Sequence, residues 1–349
     1  MSAERGPLVS VVIPVYGVRG YLAECLDSVL GGHAGDLEVI AIDDASPDGS
    51  GALLDQRARS DSRLKVVHLD RTAGPGHARN VGLAEASGRY AWFVDGDDKA
   101  APGAIDSICA RLSASEPDVL LIGYDELYPE GRTRPGPGAG LLRAAPQGTF
   151  TLAEEPKVID LSMTAWSKLF RREFLAGLGE PFRTGIHEDI PVTCAALFRG
   201  RLSALGNACY CYRRSRPGSF MATTSTGHLA VFSAYEEVFC MLQKLIADGA
   251  PVATSAVQRA VFERAIWHYS AVFQTAGLVP RNERRSFFDR MHADFERYQP
   301  EGYELPGGAR GVKFALIKRG DYVAYELLEP VNRLRVRLFH RERPSKFTR

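Results

Sequence analysis

The chain has 349 residues, 45% of them hydrophobic, and a formal net charge of +1. That length and apolar share suffice for a catalytic domain with a smaller companion, and the near-zero charge argues against a global nucleic-acid binder. Six scattered cysteines read as reduced core residues, the short polar stretch 1–7 has no signal-peptide pattern, and no apolar stretch is long enough to span a bilayer.

Residues 8–14 form a short apolar run with β-branched members and predict a buried first strand, with Val15-Tyr16-Gly17 as the loop after it. From 19 to 30, Leu22, Cys25, Leu26, Val29 and Leu30 fall at helical spacing, and Gly31-Gly32 ends that helix. A second strand over 37–42 runs into Asp43-Asp44-Ala45-Ser46-Pro47-Asp48-Gly49-Ser50. A helix over 51–58, a strand over 64–69 and a helix opened by Gly74-Pro75-Gly76 follow. A fourth strand, 90–94, closes on Asp95-Gly96-Asp97-Asp98. The alternation predicts an α/β fold with a doubly wound, mostly parallel sheet. Both carboxylate clusters then lie at the sheet edge where such folds bind ligands. Clustered carboxylates repel one another unless a cation neutralises them. Hard oxygen ligands suit Mg²⁺ or Mn²⁺, and such ions commonly hold a phosphate. A solvated turn that stops a strand is the alternative for this segment taken alone.

In this order, Pro14-Val15-Tyr16, Asp43-Asp44-x-Ser46-x-Asp48-Gly49-Ser50, Gly74-x-x-x-Ala78-Arg79-Asn80-x-Gly82 and Asp95-Gly96-Asp97-Asp98 resemble a family 2 glycosyltransferase with a GT-A fold. The likeness is to bacterial cell-envelope polysaccharide or teichoic-acid enzymes. Gly17 departs from it, since the family commonly has Asn there. The resemblance implies a nucleotide-diphosphate sugar donor, with UDP the expected nucleotide. It places Pro14, Tyr16, Asp44, Gly74, Arg79, Asn80 and Asp95 at the donor, with Tyr16 packing on the base and Asp44 hydrogen-bonding it. Asp97 would ligate a divalent metal, Mn²⁺ or Mg²⁺, assisted by Asp95, and Asp98 would lie toward the acceptor.

Beyond the fourth strand, 104–112 reads as helix and 119–123 as strand. The Pro-, Gly- and Arg-rich stretch 128–148 reads as a hairpin or mobile insertion above the site. In Ala165-Trp166-Ser167-Lys168-Leu169-Phe170, the resemblance turns Trp166 and Lys168 toward sugar or acceptor. Helical spacing alone makes Trp166 and Phe170 core and Lys168 surface. Glu188-Asp189 precedes an apolar helix over 190–198, where acidic residues are ordinary capping. The resemblance makes this pair catalytic, with Asp189 the general base. An acceptor hydroxyl is a poor nucleophile, and a carboxylate aimed at it lowers the barrier. His187 reads as a partly exposed loop residue, with a metal or phosphate contact as the alternative. After the Cys209-Tyr210-Cys211 strand, whose thiols read as unpaired rather than as a metal pair, comes a basic loop. Arg suits a diphosphate, and similar enzymes close such a loop over the donor, which implicates Arg213 and Ser219.

Helical patterns over 229–246, 252–273 and 284–298, and from 313 onward, predict an all-helical C-terminal appendage ending in an Arg-rich tail. The predicted division is a catalytic domain over 1–222 and a helical region over 223–349. The expected activity is metal-dependent, inverting sugar transfer to a glycan, polyol-phosphate or lipid-linked acceptor. The expected place is the cytoplasm, with peripheral contact of the basic tail at the inner face of the cell membrane. Two alternatives on a similar sheet are a dinucleotide-binding oxidoreductase and a nucleotidyltransferase. The first would need its glycines after the first strand. The second would usually show a Gly-rich, Lys- or Arg-bearing loop there.

Overall fold

The computed structural model describes residues 6–31, 37–129, 131–179, 181–214, 225–275 and 277–328. Strands β1 (Val9–Val15), β2 (Leu37–Asp43), β3 (Leu64–His68) and β4 (Tyr90–Phe93) pair in parallel in the order β3-β2-β1-β4. They are joined by helices α1 (Arg19–Leu30), α2 (Ser50–Ala58) and α3 (Pro75–Glu85). α1 buries the five residues whose spacing predicts it: Leu22, Cys25, Leu26, Val29 and Leu30. Register does the positioning. Val15 lies opposite Asp43, and Val12 opposite Phe93, so Tyr16, Asp44 and Asp95 emerge at one edge.

The rest of the sheet is mixed. After the two-residue strand β5 (Lys99–Ala100) come helix α4 (Ala104–Ser115), strands β6 (Val119–Leu127) and β7 (Thr133–Pro135), and the short helix α5 (Ala139–Ala144). Then follow strand β8 (Lys168–Arg171), helices α6 (Arg172–Gly177) and α7 (Ile190–Arg199), and strand β9 (Leu202–Arg213). Among the described residues, nine strands form one sheet in the order β3-β2-β1-β4-β8-β6-β9-β5, with β7 on β6. β8 runs antiparallel to both β4 and β6, while β6 and β9 are parallel. The parallel half matches the alternation in the sequence. β8 reverses because it enters from short 3₁₀ turns, Pro156–Asp160 and Ala165–Ser167, and not from a crossover helix. Residues 165–171 therefore hold a turn and a strand in place of a helix, with Trp166 and Phe170 buried as helical spacing has them. The stretch 128–148 contributes the hairpin partner β7 and α5, whose Leu142 is buried.

Helices α8 (Ala230–Ala247), α9 (Ser255–Gln274), α10 (Arg284–Tyr298) and α11 (Gly308–Lys318) follow, with a further helical stretch over 322–328. They share a continuous apolar core with one sheet face. Val12, Phe93, Phe170, Ile190 and Ala196 pack in the same cluster as Val231, Tyr235, Phe262 and Phe287. Phe232 sits between Tyr269 and Phe287, with both ring centroids at 4.6 Å. Each such buried side chain contributes roughly 1.5–3 kcal/mol, so these helices are held to the sheet by its own core. α1 and α4 cover the other face. The basic tail lies outside the described residues. Among those described, no helix is long and apolar enough to cross a membrane.

Candidate active site

At the ends of β1 and β2 the backbone is tied down by carboxylates. Asp44 is buried, and its two oxygens accept the N–H groups of Ala73 (2.7 Å) and Gly74 (2.8 Å). Gly74 takes φ +90° and ψ 167°, a conformation that in practice only glycine adopts, and Pro75 opens α3 after it. Asp44 thus shapes the loop that launches α3, and any contact with a base would use its remaining lone pairs. Asp48 ties the starts of α1 and α2 together by accepting from the Arg19 and Ser50 N–H groups. Tyr16, two residues after Pro14 at the end of β1, is 50% exposed.

The Asp95-Gly96-Asp97-Asp98 turn splits into outward and inward carboxylates. Asp95 and Asp97 are half-buried at the edge. Asp98 is buried, accepting from the Tyr210 hydroxyl (2.7 Å) and the Arg213 N–H (2.6 Å). Burial, then Asp97 and Asp95, push its carboxyl well above the usual range. Asp98 therefore anchors the end of β9, and both its oxygens are engaged there. Arg213 donates through Nε to the Asp97 carbonyl (2.8 Å) and through Nη2 to Glu24 (2.7 Å), and its guanidinium covers the Tyr21 ring. In this arrangement it braces the Asp95–Asp98 turn and does not point into open space. Ser219 lies outside the described residues. Trp166 is buried and stacks on Tyr210 (4.5 Å) and Tyr212 (5.5 Å), which places it in the wall beneath the turn.

Arg79 joins the two halves of the site. From α3, with its side chain 5% exposed, it donates through Nη2 to Asp95 Oδ1 (2.9 Å) and through Nη1 to Glu188. Burial pulls its proton affinity down, yet Asp95, Glu188 and Asp189 outweigh burial and hold the guanidinium charged. Asn80, one residue on, makes a two-way clip to the backbone of Phe182: Nδ2 to the carbonyl (2.7 Å) and the Phe182 N–H to Oδ1 (2.9 Å). This clip ties the segment that leads into Glu188-Asp189 to α3. Gly76 lies beneath that loop, where an added Cβ would meet the Arg183 carbonyl at 1.7 Å.

Asp189 stands at the N-terminus of α7 and makes no capping bond to its own helix. Its Oδ2 accepts the Ala165 N–H (3.0 Å). Burial and Glu188 push its carboxyl up, to about 7, against Arg79, the Ala165 N–H and Lys168. Lys168 is fully buried, against the surface position that helical spacing gives it. Burial pulls its ammonium down to about 7, with Asp189 opposing. His187 is also buried, not partly exposed, in left-handed backbone at φ +65°. Its ring meets those of His228 and His268, and burial, then His228, lowers its pKa to about 4. Among the described residues no group of three or more His, Cys, Asp and Glu forms a metal site, and the six cysteines form no disulfide. Two outward carboxylates, Asp95 and Asp97, still fit a divalent ion of the kind that takes one or two carboxylates and completes its shell with phosphates.

Sequence reasoning missed the Ala165 N–H, the Phe182 backbone and the Tyr210 hydroxyl. The first two are main-chain groups whose identity carries no signal. The third had one, because Tyr210 and Tyr212 alternate on a strand and so share a face.

A domain model described as "Glycosyl transferase family 2" matches residues 10–179. The chain is 31% identical over 216 residues to the uncharacterized glycosyltransferase EpsJ of Bacillus subtilis, a match covering 60% of this chain and 62% of EpsJ. It is 30% identical over 220 residues to the poly(ribitol-phosphate) beta-N-acetylglucosaminyltransferase TarS of Staphylococcus aureus, covering 61% of this chain and 37% of TarS. Both relatives extend well beyond the matched stretch. A crystal structure of TarS residues 1–349 with UDP-GlcNAc superposes with a TM-score of 0.70 at 22% identity, covering 93% of this chain and 91% of that one. The fold is that of the TarS segment, with the mixed sheet and C-terminal helices in common. A mannosyltransferase from Pyrobaculum calidifontis, solved with GDP-Man and Mn²⁺, superposes at 0.50 with 17% identity, covering 93% of this chain and 84% of that one.

Proposed function

We propose that the chain, whose residues 10–179 match a glycosyl transferase family 2 model, transfers a sugar from a nucleoside-diphosphate donor to a hydroxyl of a cell-envelope glycan or polyol phosphate, inverting the anomeric carbon. The observation that carries this reading is the Arg79 bridge, which brings Asp95 of the diphosphate edge and Glu188 of the base loop onto one guanidinium. Donor, metal and base positions thereby converge from three separate stretches of chain.

The proposed roles follow from the placement. Tyr16 packs on the base with its exposed ring, and Asp44 holds the Gly74 loop against the nucleotide. UDP is the proposed nucleotide, which the UDP-GlcNAc bound by TarS supports. Asp95 and Asp97 would hold Mn²⁺ or Mg²⁺, and Asp95 lies toward the ribose. Bound there, such an ion would neutralise charge on the departing diphosphate. Asp189 takes the proton of the acceptor hydroxyl as that oxygen attacks the face opposite the leaving group. A single displacement inverts the carbon. Ala165 N–H holds one oxygen of Asp189, which leaves the other for the acceptor. Glu188 is tied up by Arg79 and supports the base without taking its place.

The test is nucleotide release from a panel of UDP- and GDP-sugars, with Mn²⁺, with Mg²⁺ and with chelator. A metal-dependent release that Asp97→Ala abolishes in a folded protein is the expected outcome. Full activity in excess chelator would end the metal-assisted reading. Tight NAD binding with no sugar-nucleotide turnover would favour the oxidoreductase alternative.

A further inference from the structure

Behind the base lies a buried ammonium with no place in the sugar transfer as described. Lys168 opens β8 and is 1% exposed. Its Nζ donates to the Ser162 carbonyl (2.5 Å), the Thr164 carbonyl (3.2 Å) and the Ser167 hydroxyl (3.1 Å). Three acceptors match the three N–H bonds of an ammonium. Ser167 completes the cage by turning its own hydroxyl hydrogen toward the Thr164 carbonyl (3.0 Å). Every one of these acceptors belongs to residues 162–167. The same turn presents the Ala165 N–H to Asp189 Oδ2 at 3.0 Å. A buried lysine is an expensive way to fill a core position, since an apolar side chain would avoid the desolvation. The cage makes sense if the charge and the turn both serve the carboxylate beside them.

We infer that Lys168 is a positioning residue for the base: its ammonium clamps the 162–167 turn so that the Ala165 N–H holds one oxygen of Asp189, and its charge favours the ionised carboxylate. This rests on Asp189 being the base. The charged groups around Asp189 come from several elements, and Arg264 of α9 lies close enough to act on Lys168, Cys194 and Tyr235. Glu188 beside it disfavours ionisation, and Arg79 of α3 and Lys168 of β8 favour it. The Cys194 thiol of α7 and the Tyr235 phenol of α8 are held neutral by burial. Arg79 is already committed to Asp95 and Glu188. Lys168 is thus the cation on the sheet side with no carboxylate partner of its own in hydrogen-bond contact among the described residues.

Lys168→Met, Lys168→Arg and Ser167→Ala in the full chain test this. The first readout needs no turnover: ¹³C-carboxyl NMR titration of aspartate-labelled protein, with the Asp189 signal assigned through Asp189→Asn. In Lys168→Met the Asp189 midpoint should rise by about one pH unit, which means about tenfold less carboxylate below the midpoint. Lys168→Arg should keep the wild-type midpoint. In turnover of UDP-GlcNAc with Mn²⁺ at about one pH unit below the wild-type midpoint, Lys168→Met should lose about tenfold in kcat with the donor KM nearly unchanged. A folded Lys168→Met protein with an unmoved midpoint and wild-type kcat overturns the inference. So does Lys168→Arg shifted as far as Lys168→Met, which would leave packing as the whole effect. If Lys168→Met fails to fold, Ser167→Ala decides. It removes one of three acceptors and should cost several-fold in kcat, and wild-type kcat with an unmoved midpoint refutes the clamp. Asp189→Asn in the same assay separates the two readings. Wild-type kcat there removes the base assignment itself, while an inactive Asp189→Asn beside an unaffected Lys168→Met removes only the role of Lys168.

Discussion

Arg79→Ala would strip the shared partner from two carboxylates that face each other across the site. The Arg79 side chain is 5% exposed, that of Glu188 11% and that of Asp95 27%. Removing one member of a buried pair typically costs 3–5 kcal/mol, and the partial exposure of Asp95 lets water into the gap, so about 2–4 kcal/mol is expected here. The guanidinium also packs over the Phe182 ring at 5.7 Å, and that contact is lost as well. Glu188→Gln alone removes a negative charge from the cluster and should cost less. The two changes should not add. A coupling of about 1–3 kcal/mol is expected, because each substitution partly relieves what the other leaves unpaired. Arg79→Lys should recover only part of the loss, since one ammonium lacks the planar fork that reaches both carboxylates. The assay is equilibrium urea unfolding followed by tryptophan fluorescence. Trp92 and Trp166 are buried in the sheet unit, and Trp92 Nε1 donates to the Trp166 carbonyl (3.0 Å), so both report on this region. A loss below about 1 kcal/mol, or additivity of the two changes within about 0.5 kcal/mol, would refute the claim that Arg79 holds the halves together.

Four further outcomes are expected. Asp189→Asn should lower kcat by ~10²–10⁴-fold with donor affinity nearly unchanged; weakened donor binding at normal kcat would instead make Asp189 a donor or structural residue. The base acts only when ionised and its carboxyl sits at about 7. A pH–kcat profile should therefore rise with pH through that region and drop about tenfold per unit below it, and a profile flat from pH 5.5 to 8 would count against this. Gly76→Ala should cost about 1–3 kcal/mol of stability and most of the activity, because its Cβ meets the Arg183 carbonyl at 1.7 Å and must lift the loop that Asn80 clips; a fully active variant of unchanged stability would show that the loop yields freely. The tail after Pro330 carries Arg333, Arg335, Arg337, Arg341, Arg343, Lys346 and Arg349 against a lone Glu342. At about 1 kcal/mol per basic side chain, it should bring the chain down with anionic vesicles at low salt, and equal recovery with and without residues 331–349 would dismiss that contact.

Legible in the sequence were the features that depend on neighbours along the chain. The apolar run 8–14 and the helical spacing from Leu22 to Leu30 are local patterns, and their elements formed within a residue of where the patterns lie. Parallel order in the first half followed from strand–helix alternation, because a crossover helix permits no other pairing. The motif at 95–98 marked the edge, since carboxylates ending a buried strand have nowhere else to go. Only the tertiary structure decided which of these groups face one another. Helical spacing cannot reveal that Lys168 is inside, because its cage is built from carbonyls of 162 and 164 that any sequence would supply. Asp98 and Asp97 are adjacent in sequence, yet one turns inward because the Tyr210 hydroxyl and the Arg213 N–H, more than a hundred residues on, are there to receive it. The helices after 226 were predicted one by one as a separate appendage. That they share the core of the sheet depends on the face they bury, and a periodic pattern specifies a face without naming its partner. The joining of Asp95 to Glu188 was invisible for the same reason. It depends on a guanidinium held at the height where α3 passes beneath the 183–189 loop, and that height is set by sheet register, by the Asn80 clip and by the missing side chain of Gly76.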